Sequence, residues 1–194
     1  MKQVIIYDTE YYTDKDWMGL NENPNPDLPR HLIQIGALKL DAATLAVVEE
    51  YDMMCKPPLP LTDEFTRLSG ISQQQVDARG VSFADIFRSF WKFKGDAPLY
   101  SYGSDIEVLR RNLGYNNMPL PVDWPAVPEN TNIRPFIQQH APETVKVNSG
   151  RLVEVLGIRP RHKEHTGLGD CHSIRETLIY LIEKRGAPNP FLAG

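Results

Sequence analysis

The chain has 194 residues, 41% of them hydrophobic, so one domain can bury a full core without disulfide or metal staples. A formal net charge of −4 argues against a protein that holds nucleic acid by a basic surface alone, unless bound cations change the local sign. No apolar run approaches the length of a membrane span, and Met1 to Tyr7 leads straight into a strand-like segment without a signal-peptide layout, so no membrane contact and a cytoplasmic location are expected.

Val4 to Tyr7 is a short β-branched apolar run and predicts a strand buried on both faces. From Thr13 to Arg30 the turn formers of Asn-Glu-Asn-Pro-Asn-Pro predict a loop too long for a hairpin. Leu32–Leu40 and Leu45–Met54 then read as two strands joined through Asp41-Ala-Ala-Thr44. Ser72 with Gln75 has capping-box spacing, and Phe83, Ile86, Phe87, Phe90 and Trp91 form an aromatic helical face. Ala97–Tyr102 returns to strand character, and Ile106, Leu109 and Leu113 mark a helix closed by Gly114. After a Pro-rich stretch from Met118 to Pro128, helices are expected over Ile133–His140 and Ser149–Leu156, the latter stopped by Gly157. Ile174, Leu178, Leu181 and Ile182 mark a last helix that ends at Gly186 and Pro188. This order describes a single mixed α/β domain over residues 1–194, with helices on both faces of the sheet.

Asp8 and Glu10 end the buried first strand, and side-chain alternation points both to one face. Two adjacent carboxylates there repel unless a cation or hydrogen-bond donors compensate; a polar strand end dipping into solvent is the ordinary alternative. Asp105 opens the helix after Tyr102-Gly103-Ser104, where a plain helix-end acid would also sit. His165-Thr-Gly-Leu-Gly-Asp170 is a short glycine-bearing loop that delivers an imidazole and a carboxylate to one neighbourhood. Oxygen-only ligands favour two divalent cations, Mg²⁺ or Mn²⁺, over zinc, and such a pair suits phosphodiester hydrolysis. An imidazole with an ordinary pKa of about 6.5 can take a proton from water near neutral pH. Cys55 and Cys171 have no standard zinc spacing and are expected to be free thiols.

These motifs resemble the DEDDh exonucleases of the ribonuclease H-like superfamily, which includes ribonuclease T, oligoribonuclease and the proofreading exonucleases. Asp8-Thr9-Glu10 corresponds to the first motif, Leu32-Ile-Gln-Ile-Gly36 to the second strand, Asp105 to the middle aspartate, and His165 with Asp170 to the last motif. The tyrosine subclass would place Tyr at position 166, where this chain has Thr166. Leu68–Asp77, Thr131-Asn-Ile-Arg134 and His165-Thr-Gly-Leu look like the Eri-type RNA exonucleases, although Gly169 stands where that group often has a second Asp. The resemblance implies a five-stranded mixed sheet, its first three strands antiparallel, flanked by helices. It further implies release of nucleoside 5′-monophosphates from the 3′-hydroxyl end of single-stranded nucleic acid. RNA is preferred over DNA on the Eri-type features.

In that scheme Asp8, Glu10, Asp105 and Asp170 hold the two cations. His162, His165 and His172 compete for the base role, and spacing to Asp170 selects His165. Thr9, Tyr11, Tyr12 and Ser104 are candidates for substrate contact, the tyrosines by stacking on a terminal base or else as core anchors. Arg161 and Lys163, with Arg159 and His162, form a basic cluster suited to steering phosphates, or an ordinary solvated loop. A DNA exonuclease of repair or proofreading type, and a binding module that has lost catalysis, are the competing functions.

Overall fold

A computed structural model describes residues 2–12, 29–126, 131–159 and 166–192. Strand β1 spans Gln3–Tyr11, β2 Leu32–Asp41 and β3 Val47–Met54. The Val4–Tyr7 run is buried on both sides, each residue no more than 1% exposed. β1 pairs antiparallel with β2, placing Asp8 opposite Gly36 and Glu10 opposite Gln34, and β2 pairs antiparallel with β3. The β2–β3 turn is organised by Asp41, whose Oδ1 accepts from the amides of Ala43 (3.1 Å) and Thr44 (2.9 Å). β3 begins at Val47, two residues later than the sequence predicts, because Leu45 takes a left-handed φ of 56° inside the turn.

β4 is only Leu99–Tyr100 and runs parallel to β1, giving the order β3-β2-β1-β4 among the described residues. The expected fifth strand is reduced to an isolated parallel bridge between Ser101 and Asn132, with the Ser101 amide donating to Thr131 and the Ile133 amide to Ser101. Arg134-Pro135 open a helix immediately afterwards, which leaves no length for a ladder.

Helices cover both faces. α1 (Asp63–Ser69) and α2 (Gln73–Arg79) lie beyond β3, and α2 carries the anticipated Ser72–Gln75 capping box. α3 (Phe83–Lys94) buries Phe83, Ile86, Phe87 and Phe90, while Trp91 is half-buried and stacks on Trp124. α4 (Asp105–Tyr115) buries Ile106, Leu109 and Leu113. It runs through Gly114 and reverses only at Asn117, whose φ of 53° does the capping that the glycine was expected to do. α5 is Arg134–His140, and a 3₁₀ turn, Ser149–Arg151, precedes the short α6, Leu152–Val155. α7 spans Gly167–Arg185, starting seven residues before the apolar stripe at Ile174, and ends as expected at left-handed Gly186.

Side-chain alternation along β1 sorts two cores. Ile5 and Tyr7 pack with Ile35 and Ala37 under α3 and α4, whereas Val4 and Ile6 pack with Leu38 and Leu40 under α5, α6 and α7. The same parity carries Asp8 and Glu10 onto the α7 face and Thr9 and Tyr11 onto the α4 face. Cys55 and Cys171 are both free and buried.

Candidate active site

Three carboxylates meet at the C-terminal end of β1. Asp8, Glu10 and Asp170 each offer an oxygen within 4.8 Å of the others, a separation one small cation can span. Asp8 and Asp170 are buried and Glu10 is half-buried. Among the described residues neither Asp8 nor Glu10 forms an ion pair with lysine or arginine.

Close backbone packing brings Asp170 there. Gly36 has room for no side chain: a Cβ would lie 2.0 Å from the Leu168 nitrogen, and one on Gly167 would lie 2.8 Å from the Gly36 nitrogen. This glycine pair lets the first turn of α7 settle on β2 beside Asp8. Gln34 fixes the docking, its Oε1 accepting from the Gly167 amide at 3.1 Å and its Nε2 donating to Asp52 at 2.6 Å. Thr166 caps the helix by accepting from the Gly169 amide at 3.1 Å. Asp170 then sits near the positive end of the α7 dipole, where a carboxylate is favoured.

Asp105 approaches from the opposite face. As the first residue of α4 it lies on the Thr9 side of β1, and its Oδ1 accepts from the Thr9 amide at 3.0 Å and the Thr9 hydroxyl at 2.6 Å. It is 9% exposed and close enough for its charge to bear on Asp8 and Glu10, but it stands outside the three-carboxylate group.

Crowding shows in the acidities. Burial, then the charges of Asp105, Asp170 and Glu10, push the Asp8 carboxyl well above the usual carboxylate range, opposed by the Ser149 hydroxyl. Burial, with Asp170 and Asp105 adding, pushes Glu10 up to about 8. Burial also raises Asp105, against the donors of Thr9. Several carboxylates forced together, with pKa values pushed above the usual range, favour a multivalent cation that replaces their protons.

The other candidates divide. Thr9 supports Asp105 through both donors. Tyr11 packs against the α3–α4 core, lies under the Arg30 guanidinium at 5.7 Å, and is raised to about 12 by burial. Tyr12 packs on the small cluster of Ile33, Met54 and Phe65, and its amide donates to His31. The core-anchor alternative therefore describes much of both tyrosines. Ser104 is exposed and makes no side-chain capping bond to α4. His172 is buried and its Nε2 lies 3.1 Å from Glu50 Oε1. His162, His165, Arg161 and Lys163 lie outside the described residues.

Ser149 is the neighbour that the sequence does not single out. Its hydroxyl lies 2.9 Å from Asp170 Oδ2 and 3.2 Å from Asp8 Oδ1, bridging carboxylates that come from opposite ends of the chain. A lone serine ahead of a short helix carries no pattern that would have marked it.

Residues 5–178 match the family model RNase_T, described as exonuclease. The PolC-type DNA polymerase III of Thermotoga maritima is 23% identical over 157 residues, covering 78% of this chain and 10% of that protein. The PolC-type DNA polymerase III of Streptococcus suis is 24% identical over 182 residues, covering 93% and 12% respectively. The chain thus spans about a tenth of the length of these curated relatives. Among solved structures, the nuclease domain of 3'hExo, a DEDDh family member bound to rAMP, superposes with a TM-score of 0.71 at 20% identity, covering 96% of this chain and 94% of that one. E. coli ExoI in a complex with ssDNA gives 0.70 at 16% identity, covering 96% and 42%. These two likenesses establish the fold, and the match over 5–178 establishes the kinship first read from the Asp8-Thr9-Glu10 and His165–Asp170 motifs: the chain belongs to the RNase T family of exonucleases.

Proposed function

We propose that this chain is a metal-dependent 3′–5′ exonuclease that removes nucleoside 5′-monophosphates from the 3′-hydroxyl end of single-stranded nucleic acid, with RNA preferred over DNA. The observation that carries the proposal is the meeting of Asp8, Glu10 and Asp170 within 4.8 Å, with Asp105 tethered beside them through Thr9. The donor set fits the cations: all oxygen, acidic and crowded, as Mg²⁺ or Mn²⁺ requires and zinc does not. Asp8, Glu10 and Asp170 would share one ion, and Asp105 would complete the holding of a second. Bound there, the two ions would supply an activated water and charge stabilisation at the leaving oxygen.

The residues do the remaining work. The four carboxylates anchor positive charge where the phosphate docks, which reconciles a chain of net charge −4 with a polyanionic substrate. His165 takes the proton of the attacking water on its imidazole. Water oxygen bonds to phosphorus, the bond to the 3′ oxygen of the penultimate nucleotide breaks, and that oxygen gains a proton. The products are a nucleoside 5′-monophosphate and a strand shorter by one. Tyr11 ends β1 one position beyond Glu10, and in this reading the part of its ring that the α3–α4 core leaves uncovered stacks on a terminal base. Arg161 and Lys163 steer the strand by charge.

Support for RNA comes from the Eri-type features at Leu68–Asp77 and Thr131–Arg134 and from the likeness to 3'hExo bound to rAMP. The DNA reading is favoured by the two PolC-type relatives and by the likeness to ExoI with ssDNA. Matched single-stranded RNA and DNA, each labelled at the 5′ end, are the test. Laddering from the 3′ end with Mg²⁺ or Mn²⁺, abolished by chelator and faster on RNA, is expected. Faster laddering on DNA would reassign the substrate, and binding without cleavage would leave a silent binding module.

A further inference from the structure

We infer that the Ser149-Gly150 turn is a positioning element that sets the orientation of the Asp170 carboxylate, with Gly150 as its steric key; the inference rests on the proposed metal centre. Gly150 is buried, and a Cβ built on it would meet Asp170 alone among its three nearest atoms, at 2.8 Å from Oδ1, 3.2 Å from Oδ2 and 3.3 Å from Cγ. Its backbone does not use glycine's freedom, since it is absent from the glycines with positive φ. The residue type is therefore set by the space that the carboxylate occupies, not by the turn.

The turn cannot back away. Asn148 Oδ1 accepts from the Arg151 amide at 3.1 Å and closes the 3₁₀ turn, while the Ser173 hydroxyl donates at 2.7 Å to the Ser149 carbonyl and ties the turn to α7. Ser149 and Gly150 thus face the same α7 side chain from a fixed platform. Ser149 directs the carboxylate by hydrogen bonding, at 2.9 Å to Asp170 Oδ2, and reaches Asp8 Oδ1 at 3.2 Å. Gly150 leaves room for that one orientation. A methyl group at position 150 displaces the mobile end of Asp170, because the far end of a side chain yields more readily than a pinned backbone. The displaced carboxylate leaves the group it forms with Asp8 and Glu10.

The test is Mn²⁺ binding to the whole chain, followed by calorimetry and by the loss of the free-ion electron paramagnetic resonance signal. Gly150→Ala is expected to weaken Mn²⁺ binding roughly tenfold or more, the scale at which residues behind metal ligands act. Its melting temperature in chelator is expected to stay close to wild type. In an Asp170→Ala background, where the clash has no target, Gly150→Ala should bring no further loss. Ser149→Ala adds no bulk and is expected to weaken Mn²⁺ binding a few-fold. Wild-type affinity in Gly150→Ala overturns the inference, as does an equal loss with and without Asp170. Should Gly150→Ala fail to fold, unchanged affinity in Ser149→Ala overturns it instead. If the wild-type chain itself takes up no Mn²⁺, the metal centre fails, an outcome distinct from wild-type uptake that Gly150→Ala leaves unaltered.

Discussion

Thr9 holds one oxygen of Asp105 with two donors, its amide at 3.0 Å and its hydroxyl at 2.6 Å, and so ties the start of α4 to the middle of the acidic motif on β1. Because Asp8 and Glu10 occupy the other face of the strand, this tether is how an acid beneath the sheet is held beside acids above it. Thr9→Val keeps the shape and the amide bond but removes the hydroxyl. Loss of a donor to a buried carboxylate is expected to cost about 1–3 kcal/mol of stability in chelator, measured by urea unfolding. Turnover should fall together with stability, since Asp105 loses its fixed position.

The crowded acids make the metal-free fold sensitive to pH. Glu10 rises from an ordinary 4.5 to about 8 on folding, so between those values the folded chain keeps a proton that the unfolded chain has released. Stability therefore falls as pH rises through this window, and the upward shift of the Asp8 carboxyl acts in the same direction. Thermal melts in chelator should show a lower midpoint at pH 8 than at pH 5.5. Saturating Mg²⁺ should reverse the trend, because the cation replaces the protons.

Asp8→Asn separates function from stability. Turnover is expected to fall by at least a hundredfold, about 2.7 kcal/mol of barrier, in a labelled-strand assay with Mg²⁺. In chelator the same variant should melt higher than wild type, because one of several repelling charges is gone. A lower midpoint would mean that the Asp8 charge is compensated within the protein.

His165→Ala is expected to suppress turnover more than it weakens single-strand binding, and wild-type activity should rise with pH as the imidazole loses its proton. Filter binding with Ca²⁺ alongside a turnover profile separates the two effects. Equal turnover in the variant would assign the base elsewhere.

Gly36→Ala places a Cβ 2.0 Å from a backbone nitrogen of α7, where no flexible group can yield. The helix must lift from β2, at a cost of about 1–3 kcal/mol or more, read by urea unfolding. Asp170 moves with it, so Mg²⁺-dependent turnover should be lost more completely than in Thr9→Val.

How much of this was legible follows from what each residue's signal depends on. Val4–Tyr7 announces a buried strand and the alternation beyond it places Asp8 and Glu10 together, because both depend on local period. The aromatic face of α3 was equally plain. The start of α7 was hidden, since Gly167 and Gly169 are poor helix formers that packing against Gly36 and the Thr166 cap override. Ser149, Gln34 and Gly150 act through partners 21 to 141 positions away, 133 positions away and 20 positions away, respectively, and no local pattern encodes such partners. The fifth strand that the family resemblance implied is absent among the described residues because the helix read over Ile133–His140 starts at Arg134-Pro135, directly after the Ser101–Asn132 bridge.

Anomalous diffraction from crystals soaked in Mn²⁺ tests the central claim most directly. Manganese peaks bonded to oxygens of Asp8, Glu10 and Asp170, with Asp105 at a second ion, are the expected result. Saturating Mn²⁺ with no peak among those carboxylates would contradict the reading of this chain as a metal-dependent nuclease.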